Sequence, residues 1–324
     1  KPVLKVKTDH NGCFEKRKMR LVILGNTMDQ GVDYLEHYAC GIDFPALRSM
    51  CISVTAKGWI RFKFDVTNAF PQVPIDRKIF VHLPDHPAFD WKNATTGVSD
   101  IGLVNGNWYG IPPAPRTFTK GFHAHLTGPS IMLEACMVQN NLLRRDMAGD
   151  KGVILGTYVD EGFGGASDMD TFHWLMKAIE KVFPITVQML WEPMLGFGCA
   201  VNEEEGTVEF SGRKYVQKLV DQFLPGEAQP TRVAAARETI MQLPAEPVPA
   251  PGSADELAIA SIQHEARSLG GGLAHLSRIR IDISFAHAWI SQGTAHPTPR
   301  HLEHFKEVLR YAWATIDHVH RHQC

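Results

Sequence analysis

The stretch Lys151–Ser167, KGVILGTYVDEGFGGAS, decides how this chain is read. Val153, Ile154, Leu155 and Tyr158 climb as an apolar run to two adjacent acids, Asp160 and Glu161, and the chain leaves through Phe163 and three glycines. Apolar runs on either side of a tight turn predict two short buried strands with the acids at the tip. Taken alone, an acidic hairpin tip is a solvated turn. A second stretch, WIRFKFDV (59–66), gives the acids a partner: Ile60, Phe62, Phe64 and Val66 alternate with Arg61, Lys63 and Asp65. That is a half-buried strand with Asp65 on its polar face. If the strands are neighbours in one antiparallel sheet, Asp65, Asp160 and Glu161 converge at one edge. Two or three hard oxygen ligands around a point suit Mg²⁺, and two such ions roughly 3.5–4 Å apart serve in-line phosphoryl transfer. On spacing alone, Asp65 as an ordinary surface acid of an amphipathic strand stays equally open.

The whole chain sets the bounds. Its 324 residues allow two domains, or one large domain with lobes, and a sizeable core. A net charge of −2 does not advertise a nucleic-acid binder, yet residues 1–20 hold Lys1, Lys5, Lys7, Lys16, Arg17, Lys18 and Arg20 against Asp9 and Glu15. Such a basic arm suits phosphate contacts or plain solvation. Six scattered cysteines without a CxxC pair argue against a disulfide framework and a zinc ribbon, and a reducing, intracellular compartment is expected. The tract HVHRH (318–322) has no cysteine or carboxylate partners at ligand spacing. No run reaches the roughly 18–20 apolar residues of a membrane span, so no membrane partner is expected. The first residue is Lys1 rather than Met, so a segment of a longer protein is expected.

Along the chain, a strand is predicted at 18–24, a loop at 25–34, a helix from Phe44 to Lys57 and a strand at Ile79–Leu83. Residues 84–107 read as loop-rich, and GIPPAPR (110–116) carries too many prolines to begin a regular helix. Thr117–Leu143 reads as largely helical with a break at Gly128-Pro129. Asp168–Phe183 reads as the clearest helix, with Ser167 as N-cap and Asp170 three residues on. A hairpin around EEEG (Leu195–Val201 with Thr207–Phe210), a helix at 212–223, a linker PAEPVPAPGS (244–253) and helices at 256–276 and 298–315 complete the pattern. Strands and helices in mixed order, without regular βαβ alternation, give an α+β class.

Here the chain resembles a family. FDVTNAF (64–70), YGIPPAPR (109–116) and YVDE (158–161) are similar to the palm motifs of copia-type retrotransposon reverse transcriptases. KMRLVILGNTMDQGVDY (18–34), IFVHLPDHP (79–87), SGRKYVQKLVDQF (211–223), ARSLGGGLAHLSRIRIDISFAHAWIS (266–291) and KEVLRYAWATID (306–317) resemble further blocks of that family, in its order. The resemblance implies a right-hand polymerase with an antiparallel palm sheet. Its expected divisions are fingers at 1–58, palm at 59–205 with an inserted fingers segment near 84–125, a palm–thumb junction at 206–243, a linker at 244–255, and thumb or connection helices at 256–324. It implies an RNA-directed DNA polymerase working on an RNA or DNA template with primer and on dNTPs, with two Mg²⁺ ions or Mn²⁺ in their place. Asp65, Asp160 and Glu161 match the metal-binding acids. Lys18 and Arg20 match the residues on the incoming triphosphate, Phe70 the ring under the incoming sugar, and Arg116 the arginine closing the APR motif.

Three departures from the family pattern stand out. Glu161 replaces the second hairpin aspartate, Pro113 stands where the family has glutamine, and nothing after Asp317 resembles the RNase H domain expected downstream. The first two predict impaired activity. They keep a second reading open, a decayed or repurposed copy that binds nucleic acid without turnover. A different two-metal palm enzyme, such as a nucleotidyl cyclase, is a third. Virus-like particle or nucleus is the compartment the resemblance implies, and it leaves the oligomeric state open.

Overall fold

Phe62, Phe64 and Val66 point one way from their strand and meet a helical layer, while Asp65 between them stays exposed. A computed structural model describes residues 1–8, 13–75, 77–83, 101–226, 231, 234, 250 and 252–324. It falls into two compact units: Lys1–Met50 with Trp59–Leu190, and Cys51–Gly58 with Trp191–Cys324. Helices and antiparallel sheets are mixed throughout, as an α+β class requires.

The first unit is built on a six-stranded, wholly antiparallel sheet. Its strands, taken along the chain, are β3 (Ile60–Val66), β6 (Glu134–Cys136), β7 (Gln139–Asp146), β8 (Gly152–Tyr158), β9 (Glu161–Ala166) and β10 (Ile185–Gln188). Their order across the sheet is β10-β3-β9-β8-β7-β6. Two helices cover one face: α2 (Ala114–Thr127) through Phe118, Phe122 and Leu126, and α3 (Met169–Glu180) through Phe172, Leu175, Met176 and Ile179. These pack on Phe62, Phe64, Leu143, Val153 and Leu155. On the opposite face Ile42, and Met50 of α1 (Phe44–Ala56), lie over Gly156. The hairpin β8–β9 is therefore covered on both faces, which is why it reads as unbroken apolar runs rather than alternation.

The glycines after the acids belong to the strand. Gly162 and Gly164 pair with Phe64 and Phe62, and a Cβ on either would sit 2.2 Å and 2.7 Å from those rings. Removing the side chain from one strand makes room for the rings of the next. Beside the sheet, β1 (Pro2–Thr8) and β2 (Phe14–Leu21) form a ribbon, and β4 (Ile79–His82) pairs with β5 (Ile101–Val104).

In the second unit β11 (Gly198–Asn202), β12 (Thr207–Ser211) and β13 (Val319–Gln323) form an antiparallel sheet. It also holds α4 (Arg213–Phe223), α5 (Ala254–Leu276), α6 (Ser284–Ser291) and α7 (Pro299–Ala314). Within α5, Gly270 faces the Phe305 ring and Gly272 faces Leu219, so the glycine run lets α7 and α4 approach.

Several expectations need correction. The helix expected over Thr117–Leu143 ends at Thr127, and the hairpin β6–β7 takes over, because β7 gains its hydrogen bonds from β8. The proline-rich GIPPAPR does open a helix: Pro113 is the N-cap residue of α2, and its carbonyl accepts from Thr117 N–H at 2.9 Å. The first turn needs no N–H there, so proline costs it nothing. The cap of α3 is Asp168, whose Oδ1 accepts from Thr171 N–H at 2.9 Å, with Ser167 Oγ donating to the same carboxylate at 2.9 Å. Residues 101–104 of the expected loop are strand β5. Residues 84–100 of that loop and of the inserted segment, and most of the linker at 244–253, lie outside the described residues.

Candidate active site

Register brings the acids together. Asp65 of β3 stands directly opposite Glu161 of β9, and Glu161 is also opposite Tyr158 of β8. Directly paired residues of antiparallel strands put their side chains on one face, with Cβ atoms about 4.5–5.5 Å apart. Asp160 lies in the two-residue turn between Tyr158 and Glu161, and its carbonyl accepts from Val66 N–H at 2.8 Å. Its turn neighbour Val159 has φ +54°. A β-branched residue in that region costs about 1–3 kcal/mol, a strain the packing of Val159 against the core sustains.

The electrostatics follow from the crowding. Burial pushes the Asp160 carboxyl above its ordinary range and the Asp65 charge adds to this; its own backbone N–H, Arg20 and Lys18 pull it back. Glu161 is raised first by burial, then by Asp160 and Asp65, with Lys63 opposing. Lys18 and Arg20 are alternate residues of β2, hence on one face of the ribbon. The Arg20 guanidinium lies 5.2 Å from the Tyr109 ring centroid, and Tyr109 stacks obliquely on Phe70 at 4.9 Å. Phe70 also touches Phe118 edge-on at 6.1 Å, so its base is anchored in the core while the residue stays half-exposed.

Arg116 is not brought to the acids. It forms an ion pair with Glu36 and donates to the Tyr38 carbonyl at 3.4 Å, tying α2 to the 36–38 loop. Tyr109 is the residue that sequence reading passed over. Its place depends on two contacts with the end of β2 and the residues just after it: Trp108 Nε1–H donates to Leu21 C=O, and Ile23 N–H to Tyr109 C=O, both at 2.8 Å.

Among the described residues, no three His, Cys, Asp or Glu side chains close into a cation cage. Magnesium does not ask for one, since it is commonly held by one or two carboxylates with water and substrate phosphate completing the octahedron. Mutually repelling carboxylates of raised proton affinity are a fitting donor set for such an ion. Cationic side chains within electrostatic range of the acids add the complement for a polyphosphate.

The family model for reverse transcriptase (RNA-dependent DNA polymerase) matches residues 1–235. The chain belongs to that family, and the likeness its motifs carry to copia-type retrotransposon reverse transcriptases is borne out. Relatives include the retrovirus-related Pol polyproteins from transposons RE1 and RE2 of Arabidopsis thaliana. The chain is 24% identical to each, over 96% of its own length. The Pol polyprotein from transposon TNT 1-94 of Nicotiana tabacum is 20% identical over 97% of it. The chain spans about a fifth of the length of these relatives: 20% of the two Arabidopsis proteins and 23% of the tobacco one. Among the described residues no helix is long and apolar enough to cross a membrane.

Proposed function

We propose that this chain carries the RNA-directed DNA polymerase activity of a copia-like element. The single observation that carries the reading is the pairing of Asp65 with Glu161 across β3 and β9, with Asp160 at the adjoining tip. In this reading the six-stranded sheet is the palm of a right-hand polymerase, residues 1–58 and about 84–125 supply fingers, and the chain from 206 onward leads into the thumb. The partners are a primed RNA or DNA template and dNTPs, in an intracellular particle or the nucleus.

Asp65 and Asp160 would hold the divalent ions, with Glu161 as auxiliary. Two Mg²⁺, or Mn²⁺ in their place, supply positive charge at the attacking and leaving oxygens when bound. Lys18 as a point charge and Arg20 as a fork hold the triphosphate so that the primer 3′-hydroxyl faces the α-phosphorus in line with the departing pyrophosphate. Phe70 lies under the sugar, where its ring leaves no room for a 2′-hydroxyl.

The test is template-dependent primer extension with Mg²⁺ or Mn²⁺. Extension by the wild type supports the reading; no extension by the wild type or by Glu161→Asp sinks it. The silent-copy alternative rests on Glu161 and Pro113 alone; Pro113 is accommodated as a helix cap, and Asp65 and Asp160 are both present.

Two graded outcomes refine the reading. Glu161 carries one methylene more than the family's aspartate, about 1.5 Å of reach. A misplacement near 1 Å costs on the order of 10²-fold. Glu161→Asp is therefore expected to raise kcat by as much as about 10²-fold; a lower kcat would show that this palm has adapted to the longer side chain. Phe70→Val removes the ring, and incorporation of rNTP relative to dNTP is expected to rise by about 10–200-fold, the range for reshaping an apolar pocket. An unchanged ratio in competition assays would return Phe70 to the core.

A further inference from the structure

We infer that Tyr109 is a positioning residue that locks the triphosphate-holding Arg20 to the sugar-facing Phe70, so that dNTP affinity and sugar selectivity are set through one ring. The inference rests on the polymerase reading above and deepens it. Three parts of the chain meet at this ring. Arg20, from β2, places its guanidinium 5.2 Å from the ring centroid. Phe70, from the turn after β3, lies 4.9 Å away at 49°. Asp160 and Asp65 are both within electrostatic range of the phenol.

The backbone around Tyr109 is built to hold that place. Its carbonyl accepts from Ile23 N–H, and its neighbour Trp108 is bonded to Leu21 C=O, each at 2.8 Å. Gly110 follows at φ +90°, with the Ile23 carbonyl where a Cβ would be. The end of β2 and residues 108–110 thus move as one piece, and the ring cannot shift without Arg20.

An arginine with several rotatable bonds loses affinity when it samples positions away from its ligand. A ring beneath the guanidinium confines it to a plane and strengthens the attraction, worth about 3- to 30-fold for a single contact of this kind. The same ring walls one side of Phe70, whose other side is held by Phe118. Tyr109 is not a catalytic residue in this scheme, since the acids act without it.

Primer extension and intrinsic tryptophan fluorescence on dNTP titration test the inference with Tyr109→Ala, Tyr109→Leu and Tyr109→Phe. Tyr109→Leu keeps apolar bulk where Tyr109→Ala risks the fold. Expected for both Ala and Leu is a 10- to 30-fold rise in dNTP KM and in the fluorescence dissociation constant, a kcat within about 3-fold of wild type, and a several-fold rise in rNTP use. Tyr109→Phe, which keeps the ring, is expected to restore all three. Arg20→Lys combined with Tyr109→Leu is expected to be little worse than either change alone, because one contact is lost twice. Unchanged KM in Tyr109→Leu, fully multiplying effects in the double variant, or damage in Tyr109→Phe equal to that in Tyr109→Leu overturns the inference while leaving the polymerase reading standing. A wild type that neither extends primers nor binds dNTP overturns both.

Discussion

Asp160→Asn is expected to lower primer extension by at least about 10³-fold and to make the protein more stable at neutral pH. The loss follows from the role: removing one preorganised electrostatic partner of a transition state costs about 10²–10³-fold, and a direct ion ligand more, on the order of 4 kcal/mol of barrier. The stability gain follows from the fold. Burial and the Asp65 charge hold the Asp160 carboxyl above its ordinary 3.8, against the opposing pull of its own N–H, Arg20 and Lys18. The folded protein therefore binds this proton more tightly than the unfolded chain does. Stability from this group is fully present below pH 3.8 and is lost as pH rises through the higher folded value, so at neutral pH the ionised carboxylate is a net burden.

Asparagine keeps the shape and removes the charge. The melting temperature is expected to rise at about pH 7.5, by roughly 2–4 °C for each kcal/mol relieved, and the gain to shrink toward pH 4. Glu161, raised for the same first reason, adds to the trend. In the proposed mechanism Asp160 acts as a carboxylate, so wild-type activity is expected to fade on acidification already above the ordinary carboxylate range. A variant that loses activity yet melts no higher at neutral pH would show that the charge is already compensated in the folded state.

What could be read from the sequence is what is local to it. Strands β3, β8 and β9 announced themselves because alternation and two-sided apolar runs are local properties of the chain. The acids were legible for the same reason: each ends or interrupts such a run. Gly162 and Gly164 looked like an exit from the strand, and only the register with Phe64 and Phe62 shows them as strand residues opposite large rings. The hairpin β6–β7 was misread because its own side chains barely mark it. Met137 and Val138 are almost wholly exposed, and Leu143 is the one large apolar side chain of β7 that is buried. Its identity as a strand comes from β8, which the local pattern does not contain.

Tyr109 was hidden by distance. Trp108 and Leu21 are 87 positions apart, and no periodicity links a proline-rich loop to the end of a basic strand. Composition marked residues 1–20 only as cationic. The pairing Lys5↔Lys18 and Val3↔Arg20 shows why: one face of the β1–β2 ribbon gathers like charges that repel one another, an arrangement a binding surface for phosphate rewards.

Gly110→Ala is expected to be the most damaging single methyl in the first unit. At φ +90° an alanine is strained whatever surrounds it, by about 1–3 kcal/mol. Its Cβ would also stand 2.0 Å from the Ile23 carbonyl oxygen, a backbone atom that cannot rotate aside; from the other side, a Cβ added at Gly25 would stand as close to the Gly110 carbonyl oxygen, at 2.1 Å. The two segments must part, and the Ile23–Tyr109 and Trp108–Leu21 hydrogen bonds part with them. Gly31→Ala separates the two causes, because Gly31 has nearly the same φ, +92°, with nothing within 4 Å of its Cβ position. Gly31→Ala is expected to cost only the backbone strain. Gly110→Ala is expected to add the overlap, which appears as faster hydrogen exchange at Ile23 and a dNTP KM raised by at least about 10-fold. The sheet core of Phe62, Phe64, Phe118 and Phe122 includes neither segment, so its slowest-exchanging amides are expected to keep their protection. Equal effects of the two alanines on Ile23 exchange would mean that the close approach of the 21–25 and 108–112 backbones is not what aligns Arg20 with the acids.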